Sequence, residues 1–169
     1  MNIRSLVVIL MLAALVLLNT ACPYSFTGAS VPKHLKTIAI PLVDDQSGFG
    51  EAGLREEFTT ELTNLFLSDN SLEVADRTTA DSILEGVITS VSDAPSVVAQ
   101  GEAVTKRRIT MAVKFTYQDK VLRKKVWEKS LSEWGDYDSG GGLSQRQAGL
   151  TEAMKKLTED ILLETVSGW

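Results

Sequence analysis

One cysteine and one histidine occur in 169 residues. A lone cysteine closes no internal disulfide, so stability must come from an ordinary packed core. A serine or cysteine nucleophile that needs a histidine base has only His34 to draw on. No spacing of His, Cys or acidic residues resembles a metal site. Basic residues are also short, 17 against 22 acidic, for a net charge of −5. That balance lacks the basic footprint of general nucleic-acid binding. Gly140-Gly141-Gly142 has neither the lysine nor the spacing of a phosphate loop and reads as a linker. Asp44, Asp45 and Glu51 read as a solvated acidic loop rather than a catalytic carboxylate pair, and the tryptophans as core or staple residues. These absences point away from an enzyme and from any cofactor or metal.

Long apolar runs are scarce too, with one exception at the start. Arg4 precedes an unbroken apolar stretch from Leu6 to Leu18, followed by Asn19-Thr20-Ala21-Cys22. A basic start, a short apolar region and a small residue before the cut make a secretory signal. The run is shorter than the ~20 residues of a comfortable bilayer span. A cysteine directly after the cut is the bacterial lipoprotein pattern, so Cys22 is the expected lipidation site and residues 1–21 the removed signal peptide. The box is imperfect, because Asn19 stands where leucine is usual. The alternative is an ordinary secreted protein with a stray thiol. A leftover cysteine in an exported chain needs a reason, and lipidation supplies one. Each buried methylene contributes about 0.8 kcal/mol, so two or three acyl chains anchor a protein durably. The mature chain would have 148 residues, enough for one domain, and would be one unit more acidic because Arg4 is lost.

Residues 22–36 read as a lipidated N-terminus and extended lead-in, with Tyr24 and Phe26 alternating with small residues and Pro32 as punctuation. Residues 37–169 then form a single periplasmic α/β domain. Thr37 to Val43 is rich in β-branched residues and predicts a strand, with Pro41 marking an edge or an end. Asp44 to Gly53 is a loop with three glycines. Leu54, Phe58, Leu62, Leu65 and Phe66 recur at helical spacing, predicting a helix from Leu54 to Leu67 stopped by Asp69-Asn70. Leu72 to Ala75 is a short strand, closing a right-handed parallel crossover. Ile83 to Val91, Val104 to Tyr117 and Val121 to Trp134 predict three further strands. The face Ile109, Met111, Val113, Phe115, Tyr117 turns inward, and Gln118-Asp119-Lys120 forms the last hairpin turn. A looser loop spans Ser92 to Glu102, and Asp136 to Gly142 reads as flexible. Ser144 and Gln147 fit a capping box for a final helix bearing Leu150, Ala153, Met154, Leu157, Ile161 and Leu162, stopped by Gly168 with Trp169 folding back. The order β-α-β-β-β-β-α predicts an α+β fold: two helices on one face of a mixed, mainly antiparallel four- to five-stranded sheet. The other face is left for solvent or a partner.

One charge pattern stands out. Lys106, Arg107, Arg108, Lys114, Lys120, Arg123, Lys124 and Lys125 place half of the mature chain's basic residues on the last strand pair. With Asp119-Lys120 as the turn centre, Lys114 would face Lys125, and like charges directly opposed are unfavourable in a sheet. An anionic partner relieves them. Equally, lysines guard sheet edges against aggregation.

Cys22-Pro23-Tyr24-Ser25-Phe26, Leu35 to Pro41, Gly53-Leu54-Arg55-Glu56, Ala80 to Gly86 and Val166-Ser167-Gly168-Trp169 resemble, in order and spacing, the LPS-assembly lipoprotein family LptE. More particularly, they are similar to its branch outside the enterobacteria. Pro23 departs from the glycine common after the lipidated cysteine. The resemblance spans the mature chain and implies two helices on a mixed four-stranded sheet. It also implies an outer-membrane location on the periplasmic side, a plugging and assembly role in the LptD β-barrel, and help in moving lipopolysaccharide to the outer leaflet. Family members bind lipopolysaccharide through basic residues. In this chain the candidates Lys106, Arg107, Arg108, Lys114, Arg123 and Lys125 are chosen on charge alone. Two other classes stay open: a periplasmic activator lipoprotein docking on a cell-wall enzyme such as a peptidoglycan synthase, and a hydrolase. A long spacer after Cys22 would favour the first, a histidine-centred site the second, and the chain has neither.

Overall fold

The computed structural model describes residues 31–96 and 106–167. The signal, Cys22, Tyr24 and Phe26, the loop around Gly101, Val104, and Gly168-Trp169 lie outside the described residues. The elements are β1 (Thr37–Ala39), β2 (Asp44–Asp45), α1 (Leu54–Asp69), β3 (Glu73–Val74), β4 (Ser82–Pro95), β5 (Lys106–Asp119), β6 (Lys124–Asp138) and α2 (Gly142–Ser167).

The architecture is α+β, as expected, with two corrections. The sheet has six strands, ordered β3-β1-β4-β5-β6 with β2 also on β4. Three of its five pairings are parallel (β1 with β3, β1 with β4, β2 with β4), so it is not mainly antiparallel. The extra strand comes from Pro41. Ile38 pairs with Ser82 and Ala39 with Ile83, whereas Asp44 pairs with Val87, a slip of one residue. Proline has no N–H to give the ladder, so the predicted strand from Thr37 to Val43 breaks and resumes in the acidic loop. There the Val43 N–H donates to Thr59 Oγ1 at 3.0 Å.

The hydrophobic periodicities put the core where the sequence predicts. Ile109, Met111, Val113, Phe115 and Tyr117 alternate inward along β5 and are fully buried. Leu54, Phe58, Leu62 and Phe66 of α1 meet them, with Phe58 stacked 6.0 Å from Phe115. Leu65 is only half-buried. Leu150, Ala153, Met154, Leu157 and Ile161 supply the stripe of α2. Asn70 ends α1 in the left-handed region (φ 59°), its N–H reaching the Phe66 carbonyl at 3.1 Å. Among the described residues, no helix is long and apolar enough to cross a membrane, which says nothing of β-barrels.

The strand ends differ from expectation. β4 continues to Pro95, which pairs with Arg107, so the loop predicted from Ser92 starts later. Trp134 to Asp138 belong to β6, and Ser139–Gly141 is a 3-10 turn running into α2, not a flexible linker. The helix therefore begins before Ser144. Ser144 Oγ donates to the Gly141 carbonyl at 3.4 Å, and Gln147 reaches Glu57 of α1, so no capping box forms.

Candidate functional site

The β5–β6 hairpin turns later than the sequence predicts. Asp119 pairs with Lys124, leaving Lys120 to Arg123 as the turn. Asp119 causes the shift. Its Oδ1 accepts the Leu122 N–H at 2.8 Å, a side-chain-supported turn that Asp favours, and Arg123 takes a left-handed φ of 52° to close it. Val126 is the extra residue where Tyr117 pairs with Trp127 but Gln118 pairs with Lys125.

This register separates the candidate cations. Lys114 pairs with Ser130 and Lys125 with Gln118, so the two lysines do not oppose each other. They nevertheless share one carboxylate, Glu128: Lys114 Nζ lies 2.5 Å from Oε1, and Lys125 binds Oε2. Hydrogen bonds from Lys114, then Lys125, hold the Glu128 carboxyl down at about 2. Two positive charges thus face one negative charge on the uncovered sheet face. Around them that face carries Thr110, Ala112, Thr116, Ser130 and Ser132, small or hydroxylated side chains with no helix of the described residues over them.

Lys106, Arg107 and Arg108 sit at the other end of the hairpin. Arg108 and Asp119 are eleven residues apart, about 36 Å along a strand. Successive residues point to opposite faces, so the three do not act alike. Arg107 points to the helix side. Its Nε donates to Asp93 Oδ1 at 2.8 Å and to the Tyr137 hydroxyl at 3.0 Å. Tyr137 donates to the other Asp93 oxygen at 2.7 Å. Arg146 of α2 lies 3.5 Å from Asp93 and 2.8 Å from Glu51, over the Phe49 ring. Burial pushes the Asp93 carboxyl up, but Tyr137 and Arg107 outweigh it and the net direction is down. Arg108, on the open face, makes a two-pronged pair with Asp136 at 2.7 and 2.8 Å and stacks 5.0 Å over Trp134. Lys106 is exposed opposite Asp138.

At the turn, by contrast, Arg123 and Lys124 are exposed and have no ion pair among the described residues. Beside them Val121 and Leu122 are 54% and 63% exposed. The lead-in ends here as well. His34 Nε2 lies 2.6 Å from Asp119 Oδ2, and Asp81 accepts the N–H groups of Lys36 and Thr37 at 3.0 and 3.1 Å. Burial raises the Asp119 carboxyl, and the bonds from His34 and the Leu122 N–H turn the net shift downward.

Three features of this region emerge only in the structure: Glu128 as the shared counter-ion, Lys124 as a cation without an ion pair among the described residues, and Val121-Leu122 as an apolar tip. Glu128 follows Lys125 at a spacing of three, a visible signal. The tip has none until the turn is located. Among the described residues no cluster of three or more His, Cys, Asp or Glu side chains could hold a metal.

Solved structures share the fold. A hypothetical protein of Chlamydia trachomatis superposes with a TM-score of 0.58 at 11% identity, covering 77% of this chain and 95% of its own. A minor lipoprotein of Acinetobacter baumannii gives 0.53 at 13%, covering 81% and 94%. The rare lipoprotein B of Shewanella oneidensis gives 0.51 at 14%, covering 76% and 92%. At such identities the likeness is one of fold. No curated protein matches in sequence. The family model that matches is LptE, lipopolysaccharide-assembly, over residues 35–165, from the lead-in to the last turn of α2. The chain belongs to the LptE family, whose members serve lipopolysaccharide assembly without being enzymes.

Proposed function

We propose that the chain is an outer-membrane lipoprotein, cleaved before Cys22 and acylated there, held on the periplasmic side, with residues 37–169 as its single working domain. In this reading it forms a one-to-one complex with the LptD β-barrel, plugs it and helps it assemble, and assists lipopolysaccharide transport to the outer leaflet. The match of the LptE model across nearly the whole described domain carries the proposal. The open sheet face supports it, because among the described residues the two helices leave that side without a protein layer.

Lipopolysaccharide phosphates would meet Lys106, Arg107, Arg108, Lys114, Arg123 and Lys125. Charge-assisted hydrogen bonds to phosphate are roughly twice as strong as neutral ones. Exposed pairs contribute only about 0–1 kcal/mol each, so several cations must act together and binding must fall with salt. The six would contribute unequally. Arg107 would have to leave Asp93, and Arg108 would have to leave Asp136. Lys114 and Lys125 need only exchange a share of Glu128.

Extraction in mild detergent tests the main claim. A large outer-membrane barrel should co-purify in equal amount, and the native chain should begin at an acylated Cys22 by mass. Recovery alone, or with a cell-wall synthase, would overturn the barrel assignment. For the site, labelled lipopolysaccharide is titrated against wild type and a Lys114→Glu/Lys125→Glu variant at low and moderate salt. Equal binding would reduce these lysines to guards of a sheet surface.

A further inference from the structure

The β5–β6 turn and the lead-in from His34 to Thr37 lie at the same end of the molecule. His34 bonds Asp119 at the base of the turn, and the Lys120 N–H donates to the Asp81 carbonyl at 2.8 Å. Asp81 in turn holds the backbone of Lys36 and Thr37. Lys120 Nζ also reaches the Arg77 carbonyl at 2.5 Å. Eight residues lie between Cys22 and Val31, nine residue steps with a reach of about 30 Å at most. A surface that holds Cys22 therefore lies within that reach of Val31.

The turn has the chemistry of a membrane contact. Val121 and Leu122 lie in the turn with more than half of their surface exposed. Lys120, Arg123, Lys124 and Lys125 flank them, and Lys33 and Lys36 of the lead-in are exposed at the same end. Most of the carboxylates nearby are engaged, although the exposed Glu73 beside Thr37 has no ion pair among the described residues. Asp119 is buried against His34, Asp81 caps the lead-in backbone, Asp76 binds Thr78, Glu85 binds Arg77, and Glu128 serves Lys114 and Lys125. Apolar side chains rimmed by cations fit the boundary between acyl chains and phosphates in a lipid surface. Each basic residue close to an anionic bilayer strengthens attachment about fivefold.

We propose that this turn is a second, reversible membrane contact. Val121 and Leu122 enter the interface of an anionic bilayer, and Arg123 and Lys124 lie over its lipid phosphates. The contact sets the standing orientation of the domain: the hairpin rises from the bilayer, and the Asp93–Arg107–Arg146 end lies farthest from it. The inference goes beyond the proposed barrel partnership and does not require it.

The test uses the mature chain from residue 22 on with Cys22→Ala, so that no acyl anchor contributes. It is mixed with vesicles of phosphatidylethanolamine and phosphatidylglycerol, or of phosphatidylcholine alone, and floated. Binding is expected to the anionic vesicles and not to phosphatidylcholine. Val121→Ser/Leu122→Ser and Arg123→Glu/Lys124→Glu should each lower it at least tenfold, with unchanged circular dichroism. A fluorescent probe on Val121→Cys should shift to the blue and be quenched by spin-labelled lipid. The same probe on Leu143→Cys, at the opposite end and 82% exposed, should not. Equal flotation of wild type and both variants, no flotation, or equal quenching at 121 and 143 would overturn the proposal. Lipidation at Cys22 and barrel co-purification are read in other experiments, so those claims stand or fall separately.

Discussion

At one end of the β5–β6 hairpin, three arginines are tied to carboxylates: Arg107 to Asp93, Arg146 to Glu51 and Asp93, and Arg108 to Asp136. At the other, Arg123 and Lys124 stand beside two exposed aliphatic residues with no carboxylate paired to them among the described residues. In sequence the two runs look alike, each three consecutive basic residues. Their environments differ because Arg107 and Arg108 meet carboxylates of β4 and β6, whereas Arg123 closes the turn and Lys124 stands at its base with no ion pair among the described residues. Inside the sheet Arg107 and Arg108 point to opposite faces and each finds a carboxylate; at the turn Arg123 and Lys124 keep their charge available. The two ends should therefore respond to mutation in different quantities, stability at the far end and binding at the turn.

The largest effect is expected where α2 approaches the far end most closely. A Cβ on Gly135 would lie 2.0 Å from the Gly149 carbonyl oxygen and 2.9 Å from Glu152 Cβ. Gly135→Val must push the helix off β6 and should cost about 3 kcal/mol, the upper range for overpacking. Urea unfolding measures it, and an unchanged midpoint would mean that the helix yields there at no cost. Asp93→Asn comes next. It removes the charge that joins Arg107, Tyr137 and Arg146, all partly buried, and should cost about 1–3 kcal/mol. If Asp93→Asn unfolds with the wild-type midpoint, the far-end network is a surface feature and the contrast between the ends disappears.

A smaller effect should appear as a function of pH in the middle of the hairpin. The Glu128 carboxyl is held at about 2, below its usual 4.5. Its contribution to stability is therefore complete above about pH 4.5 and is lost as pH falls towards 2, because the unfolded chain takes up the proton first. Comparing wild type with Glu128→Gln across that window isolates it: the difference between them should shrink as the pH drops. A constant difference would mean that Lys114 and Lys125 do not hold the carboxylate in solution. The smallest effect on stability is expected at the turn. Val121→Ser/Leu122→Ser should unfold within about 0.5 kcal/mol of wild type, as exposed substitutions do. A larger loss would show that these side chains serve the fold.

Much of the fold was legible residue by residue. The alternation from Ile109 to Tyr117 and the helical repeat from Leu54 to Phe66 each name a buried face, because burial is periodic in the backbone geometry that produces it. The order of elements and the stop at Asn70 follow from local chemistry. The candidate site was legible only as composition: the basic residues of the hairpin were visible, but their partners were not. Lys114 and Lys125 meet at Glu128 only in a register set by the Asp119 turn and the extra residue Val126. Arg107 finds Asp93 and Tyr137 across two strands, at sequence separations of 14 and 30.

By itself, then, the sequence determined the periodic faces and carried the resemblance that the family match bears out. Those properties reside in short stretches, where spacing of three to four or of two residues is the whole signal. Tertiary structure alone decided which cations are neutralised and which remain free. An ion pair depends on the distance between side chains from separate strands, and one residue of register reverses the face of every side chain that follows.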